Sequence, residues 1–167
     1  MMKTQRVILI ALISMSVLQI MYYYPQLPET VASHFDIHGN PNGCSSKGLF
    51  IGTYIFVMLV TLCSFLILPS LFKYVPVSLI SLPNKDYWLS PERKGETFRL
   101  ITEKMLSFGN ATALFLITTF QLAFQATLTP PCHFSSDTMA VLFGGFIVFT
   151  IVWTVTFIAR FRKKGKQ

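Results

Sequence analysis

The sequence predicts an all-α integral membrane protein built on four transmembrane helices, and three observations predict it. Hydrophobic residues make up 52% of the 167 residues and charged residues only 13%, about half the charged share of a soluble domain. Four stretches are apolar and free of charge over roughly 20 residues, the length a helix needs to cross about 30 Å of hydrocarbon. The basic residues fall almost entirely on one side of those stretches. A chain of this size cannot bury so much apolar surface within itself. With a mean hydropathy of +0.54, a soluble enzyme, a disordered tail and a disulfide-framed secreted module are all excluded.

The first span is expected at residues 7–24, interrupted only by Ser14, Ser16 and Gln19. Lys3 and Arg6 give it a basic start, but its apolar run exceeds that of a signal peptide and the small residues Thr30 and Ala32 lie well past its end, so it reads as a retained helix. The second span, at 48–72, is uncharged throughout. The third, at 107–128, is more polar, carrying Asn110, Gln121 and Gln125, and the fourth covers 138–159. Helices are expected because an unpaired backbone group in lipid is costly and no stretch alternates over the length of a barrel strand. The whole chain, 1–167, reads as a single polytopic domain.

Charge sets the expected orientation. With both termini inside, segments 1–6, 73–106 and 160–167 hold 13 of the 14 basic residues and only Lys47 lies outside. The tail, with Arg160, Arg162, Lys163, Lys164 and Lys166, is expected against anionic headgroups of the inner face, not on nucleic acid. Inside, Ser90-Pro91-Glu92 reads as a helix start. Phe98, Ile101, Met105 and Phe108 then recur at helical spacing, with Glu96, Arg99 and Glu103 on other faces. This predicts an interfacial amphipathic helix running into the third span. Ahead of it, Asn84, Lys85, Asp86, Tyr87 and Trp88 form a polar-aromatic patch. It reads either as a headgroup anchor or as a docking site for a protein partner.

The outer loop, residues 25–47, leaves the membrane at Pro25 and Pro28 and contains the turn formers of His38-Gly39-Asn40-Pro41-Asn42-Gly43. It is expected to be an ordered cap with Val31, Phe35 and Ile37 as its apolar underside. His34, His38 and His133 are the candidates for an extracellular metal site, against a structural role for His34. Cys44 and Cys132 both fall on the outer face, where a disulfide is permitted and free thiols are the alternative. The spans carry no ionisable Asp, Glu, Lys, Arg or His, which argues against a coupled transporter acting as a monomer. Gln121 and Gln125 share one face of the third span, fitting hydrogen bonds within the bundle or across a homodimer, or else a polar path. No nucleophile–base pair, phosphate loop or paired carboxylates stand out, so a non-enzymatic protein without a cofactor is expected.

The string LPETVASHFDIHGNPNGCSSK, residues 27–47, resembles the signature of a bacterial membrane domain of unknown function found in SdpI-like immunity proteins. The matching positions are Leu27, Pro28, His34, Phe35, Gly39, Asn42, Gly43, Ser46 and Lys47. Residues 82–93, LPNKDYWLSPER, are similar to a segment of a four-span branch of those proteins. The resemblance implies a multi-pass protein of the bacterial inner membrane acting in immunity or sensing. Its outer loop, through His34, Phe35, Gly39, Gly43 and Lys47, would recognise a peptide or envelope component. The alternatives are an oligomeric small-molecule or lipid transport component, and an extracellular metal-binding membrane protein.

Overall fold

The computed structural model describes residues 2–36, 38–130, 132–133 and 135–162. Ile37, expected under the cap, and Lys163, Lys164 and Lys166 of the basic tail lie outside the described residues, as does the side chain of Lys73. Four helices are long and apolar enough to cross a membrane. They are α1 (Met2–Tyr23), α2 (Lys47–Leu71), α4 (Lys94–Leu128) and α5 (Ser136–Arg162), with a single helical turn, α3 (Lys85–Trp88), between the second and third. The chain is therefore a multi-pass membrane protein.

One departure from the all-α expectation stands at the hairpin end of the bundle. Residues of the signature loop pair as two antiparallel strands, β1 (Thr30–Phe35) and β2 (Pro41–Ser46). The register runs from Thr30 opposite Ser46 to Phe35 opposite Pro41, with irregularities on either side of His34. Those irregularities break the inward–outward alternation, and consecutive residues Val31 and Ala32 are both buried. A strand without clean alternation, facing a partner as poor in β-formers as Pro-Asn-Gly-Cys-Ser-Ser, carries little signal in sequence.

Helix α2 is not regular along its length. Cys63–Ile67 form a π turn, and Pro69 follows two residues later. Proline brings no N–H to the helix, and its ring conflicts with the carbonyl four residues back, here that of Phe65. The wider turn absorbs that conflict while the amide of Leu68 still reaches the carbonyl of Cys63. Phe65, carried by this turn, lies on Gly109 of α4, where an added Cβ would stand 2.5 Å from the Cβ of Phe65. Glycine is required at 109 by this close helix approach.

The core sits in the hairpin half of the bundle. Val31 of β1, Tyr54 of α2 and Ala113, Ile117 and Phe124 of α4 are wholly buried there. Tyr54 stacks on Phe120 at 4.0 Å, and Tyr23 of α1 stacks on Phe124 at 4.7 Å. A polar chain threads this apolar packing. The Tyr54 hydroxyl donates to Gln19 Oε1 at 2.6 Å. Gln19 Nε2 donates to Gln121 Oε1 at 2.8 Å and to the Ile117 carbonyl at 3.1 Å. Gln121 Nε2 then donates to the Tyr23 hydroxyl at 2.5 Å. Three helices are tied by side chains that would otherwise meet hydrocarbon unpaired. Gln121 is thus a bundle residue, whereas Gln125 is exposed. Nearer the other end, Asn110 Nδ2 of α4 donates to the Oε1 and the backbone carbonyl of Gln5 in α1.

Helix α5 is attached differently. Phe161 is its buried residue, and an aromatic ladder joins it to α4: Phe146 stacks on Phe115 at 4.3 Å, and Trp153 meets Phe108 at 4.9 Å. Val141, Ile147, Val148 and Val155 are exposed, a surface that acyl chains solvate in a bilayer.

Candidate functional site

The hairpin is shaped first by Asp36. Its Oδ1 accepts from the backbone N–H of His38 at 2.8 Å and of Asn40 at 2.9 Å, closing the turn with a carboxylate. Asn40's N–H above all holds the Asp36 carboxyl below its ordinary value; desolvation opposes it, and the N–H of His38 adds to the lowering. Gly39 takes φ of 84°, where a side chain would be strained. At the other end of the hairpin Lys47 bonds within the chain. Its Nζ lies 3.2 Å from Glu29, 3.4 Å from the Leu27 carbonyl and 4.9 Å from the centre of the Tyr24 ring. Ser46 caps α2 by accepting from the Leu49 N–H.

A cavity of about 410 Å³ lies beneath the hairpin, between α2, α4 and α5. Its floor is apolar: Leu49 and Phe50 from α2, Phe120 and Ala123 from α4, and Met139 from α5. The rim toward the hairpin is polar, with Ser33, His34 and Ser45, and Thr53 and Thr119 add hydroxyls to the walls. Thr53 and Thr119 return their protons to carbonyls of their own helices. Ser45 Oγ is buried and has no hydrogen-bond partner among the described residues. His34 is exposed, its Nδ1 3.2 Å from Ser33 Oγ. The ring packs on Gly43, where an added Cβ would stand 3.2 Å from the Cβ of His34. The cavity thus combines an apolar floor with a few hydrogen-bonding atoms at its mouth, the lining that suits an apolar group.

Of the residues expected to recognise a ligand, His34 and Phe35 line this cavity. Gly39 and Gly43 shape the hairpin, and Lys47 secures its base. Apart from Ser33 and Ser45 of the hairpin, the remaining cavity residues come from three helices, two of them distant in sequence. The i, i+4 pairs Leu49/Thr53 and Thr119/Ala123 mark one face of each helix, but nothing local says that those faces meet.

The three histidines do not come together. His34 lines the cavity under the hairpin and His133 a separate one beside Gln125 and Thr138. No three side chains of metal-ligating type are gathered among the described residues. Cys44 and Cys132 are free thiols. Partial burial, and then the neighbouring charge of Cys44, push the Cys132 thiol up.

At the opposite end, Asn84 and Trp88 make contacts within the chain. Asn84 Nδ2 donates to the carbonyls of Phe161 and Arg162, and Trp88 Nε1 to that of Phe161 at 2.9 Å. These carbonyls end α5 and have no partner within their own helix. Tyr87 lies under the guanidinium of Arg93 at 3.8 Å, while Lys85 is exposed.

Comparison with the curated proteins gave no match, and comparison with the solved structures gave none. Residues 9–61 do match a family model, described as a domain of unknown function (DUF1648). The matched segment begins in α1, takes in the whole hairpin and its cavity-lining residues Leu49, Phe50 and Thr53, and ends in α2.

Proposed function

We propose that this chain is a non-enzymatic, multi-pass protein of the bacterial inner membrane that recognises an apolar peptide segment at its outer face. In this reading both termini are inside, residues 94–106 lie along the inner interface, and the protein acts in immunity or sensing as the SdpI-like proteins do. The observation that carries the proposal is the cavity under the hairpin. It offers an apolar floor large enough for bulky side chains, and a rim where His34 and the unpartnered Ser45 hydroxyl can meet a peptide backbone. The transport reading is weaker, because Gln19, Tyr54, Gln121 and Tyr23 bond to one another across three helices and leave those polar groups occupied.

The test is survival of cells with and without the protein under a panel of membrane-active peptides. Thr53→Phe, which fills the cavity from an exposed position, and His34→Ala are compared with the wild type after membrane insertion has been verified. Protection by the wild type that both variants lose supports the reading. Protection by none of the peptides, or protection untouched by filling the cavity, rejects it.

A further inference from the structure

A second cavity, about 330 Å³, opens at the other end of the bundle, and its walls are charged. Tyr87 of α3, Arg93, the first turns of α4 with Glu96, Arg99 and Glu103, and Arg160 from the last turn of α5 surround it. Glu96, Arg99 and Glu103 stand at helical spacings of three and four, where opposite charges ordinarily pair. Here they do not: the one ion pair among the described residues is Lys47–Glu29, at the far end of the molecule. Arg93 is fixed by stacking on Tyr87 at 3.8 Å, and its Nη1 is buried without an acceptor. A guanidinium held in place without a carboxylate is a prepared cation, since an unpaired buried donor is costly until an anion arrives.

The level of the cavity in the bilayer bears on what fills it. Glu103 lies one turn before the uncharged stretch 107–128, and Arg160 directly follows the uncharged stretch 138–159. The pocket therefore sits where hydrocarbon gives way to headgroups, the depth at which lipid phosphates lie. Its three guanidinium groups suit a phosphodiester. Two carboxylates in the same walls would repel a purely anionic ligand but suit an ammonium that can donate hydrogen bonds. We infer that this pocket binds the zwitterionic headgroup of phosphatidylethanolamine, its phosphate held by Arg93, Arg99 and Arg160 and its ammonium by Glu96 and Glu103.

The purified full-length protein in detergent would be titrated with phosphatidylethanolamine, phosphatidylcholine and phosphatidylglycerol of matched acyl chains. Bound lipid would be counted by native mass spectrometry. Phosphatidylethanolamine should bind tightest. Arg99→Gln should weaken all three lipids by about tenfold, as loss of a charge-assisted bond does. Glu103→Gln should weaken phosphatidylethanolamine alone. Glu103→Gln preserves side-chain size and Arg99→Gln shortens it, so an unaltered melting temperature of each variant would show that the fold is intact. Equal binding of the three lipids, or a preference unchanged in both variants, overturns the assignment. Tighter binding of phosphatidylglycerol would show an anion site and overturn the ammonium part. Competition by soluble glycerophosphoethanolamine at the lipid's own concentration would show a free phosphoester as occupant and overturn the lipid source.

Discussion

Trp88 and Phe161 are 73 residues apart in sequence and meet twice: the indole Nε1–H donates to the Phe161 carbonyl at 2.9 Å, and the two rings pack edge to face at 5.3 Å. Two residues of the polar-aromatic patch, Asn84 and Trp88, thus cap the fourth spanning helix, whose terminal carbonyls need donors from elsewhere. Asn84 reaches the same carbonyls from a left-handed backbone position, φ 53°, which asparagine tolerates better than most residues. With α5 joined to α4 mainly through aromatic side chains, this cap fixes where its end lies.

Trp88→Phe should keep the ring contact with Phe161 and lose the hydrogen bond. The expected cost is about 1 kcal/mol, the usual net worth of such a bond, read from unfolding of the purified protein in a graded detergent titration. Asn84→Gly, which leaves the backbone at φ 53° unstrained, should cost a similar amount. Its combination with Trp88→Phe should be more than additive, because the carbonyl of Phe161 then has neither donor. A double variant as stable as the wild type would mean that the cap contributes nothing.

Gly109 and Phe65 make a tighter test of the bundle. An alanine at 109 would place its Cβ 2.5 Å from the Cβ of Phe65 and 2.7 Å from its ring. Those atoms belong to the root of the side chain, which a change of rotamer cannot clear. Gly109→Ala should therefore destabilise the protein by about 1–3 kcal/mol, as overpacking does. Phe65→Ala in the same chain should recover part of that loss, a coupling that a double-mutant cycle reads directly. An unchanged stability in Gly109→Ala would contradict the close approach of α2 and α4.

The thiols report on the hairpin end. Cys44 is exposed on β2, whereas Cys132 is partly buried and its thiol is raised by that burial and by Cys44. The thiolate is the reacting form, so Cys44 should be alkylated faster than Cys132 near neutral pH. Single-cysteine variants treated with a membrane-impermeant maleimide give both rates. In whole cells, labelling of Cys44 should also occur from outside if the hairpin faces the exterior. Faster reaction at Cys132, or labelling of Cys44 only after lysis, would contradict the local environment and the proposed orientation respectively.

The spans were legible because lipid imposes a one-dimensional rule: a long uncharged stretch such as 48–72 has few alternatives to a helix. The sequence also marked the loop containing His34 and Phe35 as an ordered unit. It did not reveal the β-pairing, since Pro41–Ser46 lacks β-formers and the irregularity beside His34 erases alternation. Nor did it reveal the cavity, whose floor needs Phe50, Phe120 and Met139 from three separate helices. Trp88 illustrates a different obstacle. Its aromatic character was evident, but the acceptor of its N–H is a backbone carbonyl, and a carbonyl leaves no mark in residue type.

Asp36 gives the hairpin a dependence on pH whose sign is fixed by its hydrogen bonds. Its carboxyl lies below the ordinary value of 3.8 because the N–H groups of Asn40 and His38 donate to the ionised form. A carboxyl depressed in the folded state stabilises the fold above its unfolded value, and that contribution disappears as pH falls through the folded value. The turn should accordingly be fully closed near pH 6 and loosen below about pH 4, around the unperturbed range of an aspartate. Amide hydrogen exchange of the purified protein, corrected for the intrinsic rate at each pH, would follow this at Asn40 and His38. Asp36→Asn should exchange faster at pH 6 and show little further change on acidification, because the neutral amide has no charge to lose. Equal protection of the two amides at pH 3 and pH 6 in the wild type would show that the carboxylate is not what closes the turn. The strands beyond it, held by Lys47 at their base, should respond less than the turn itself.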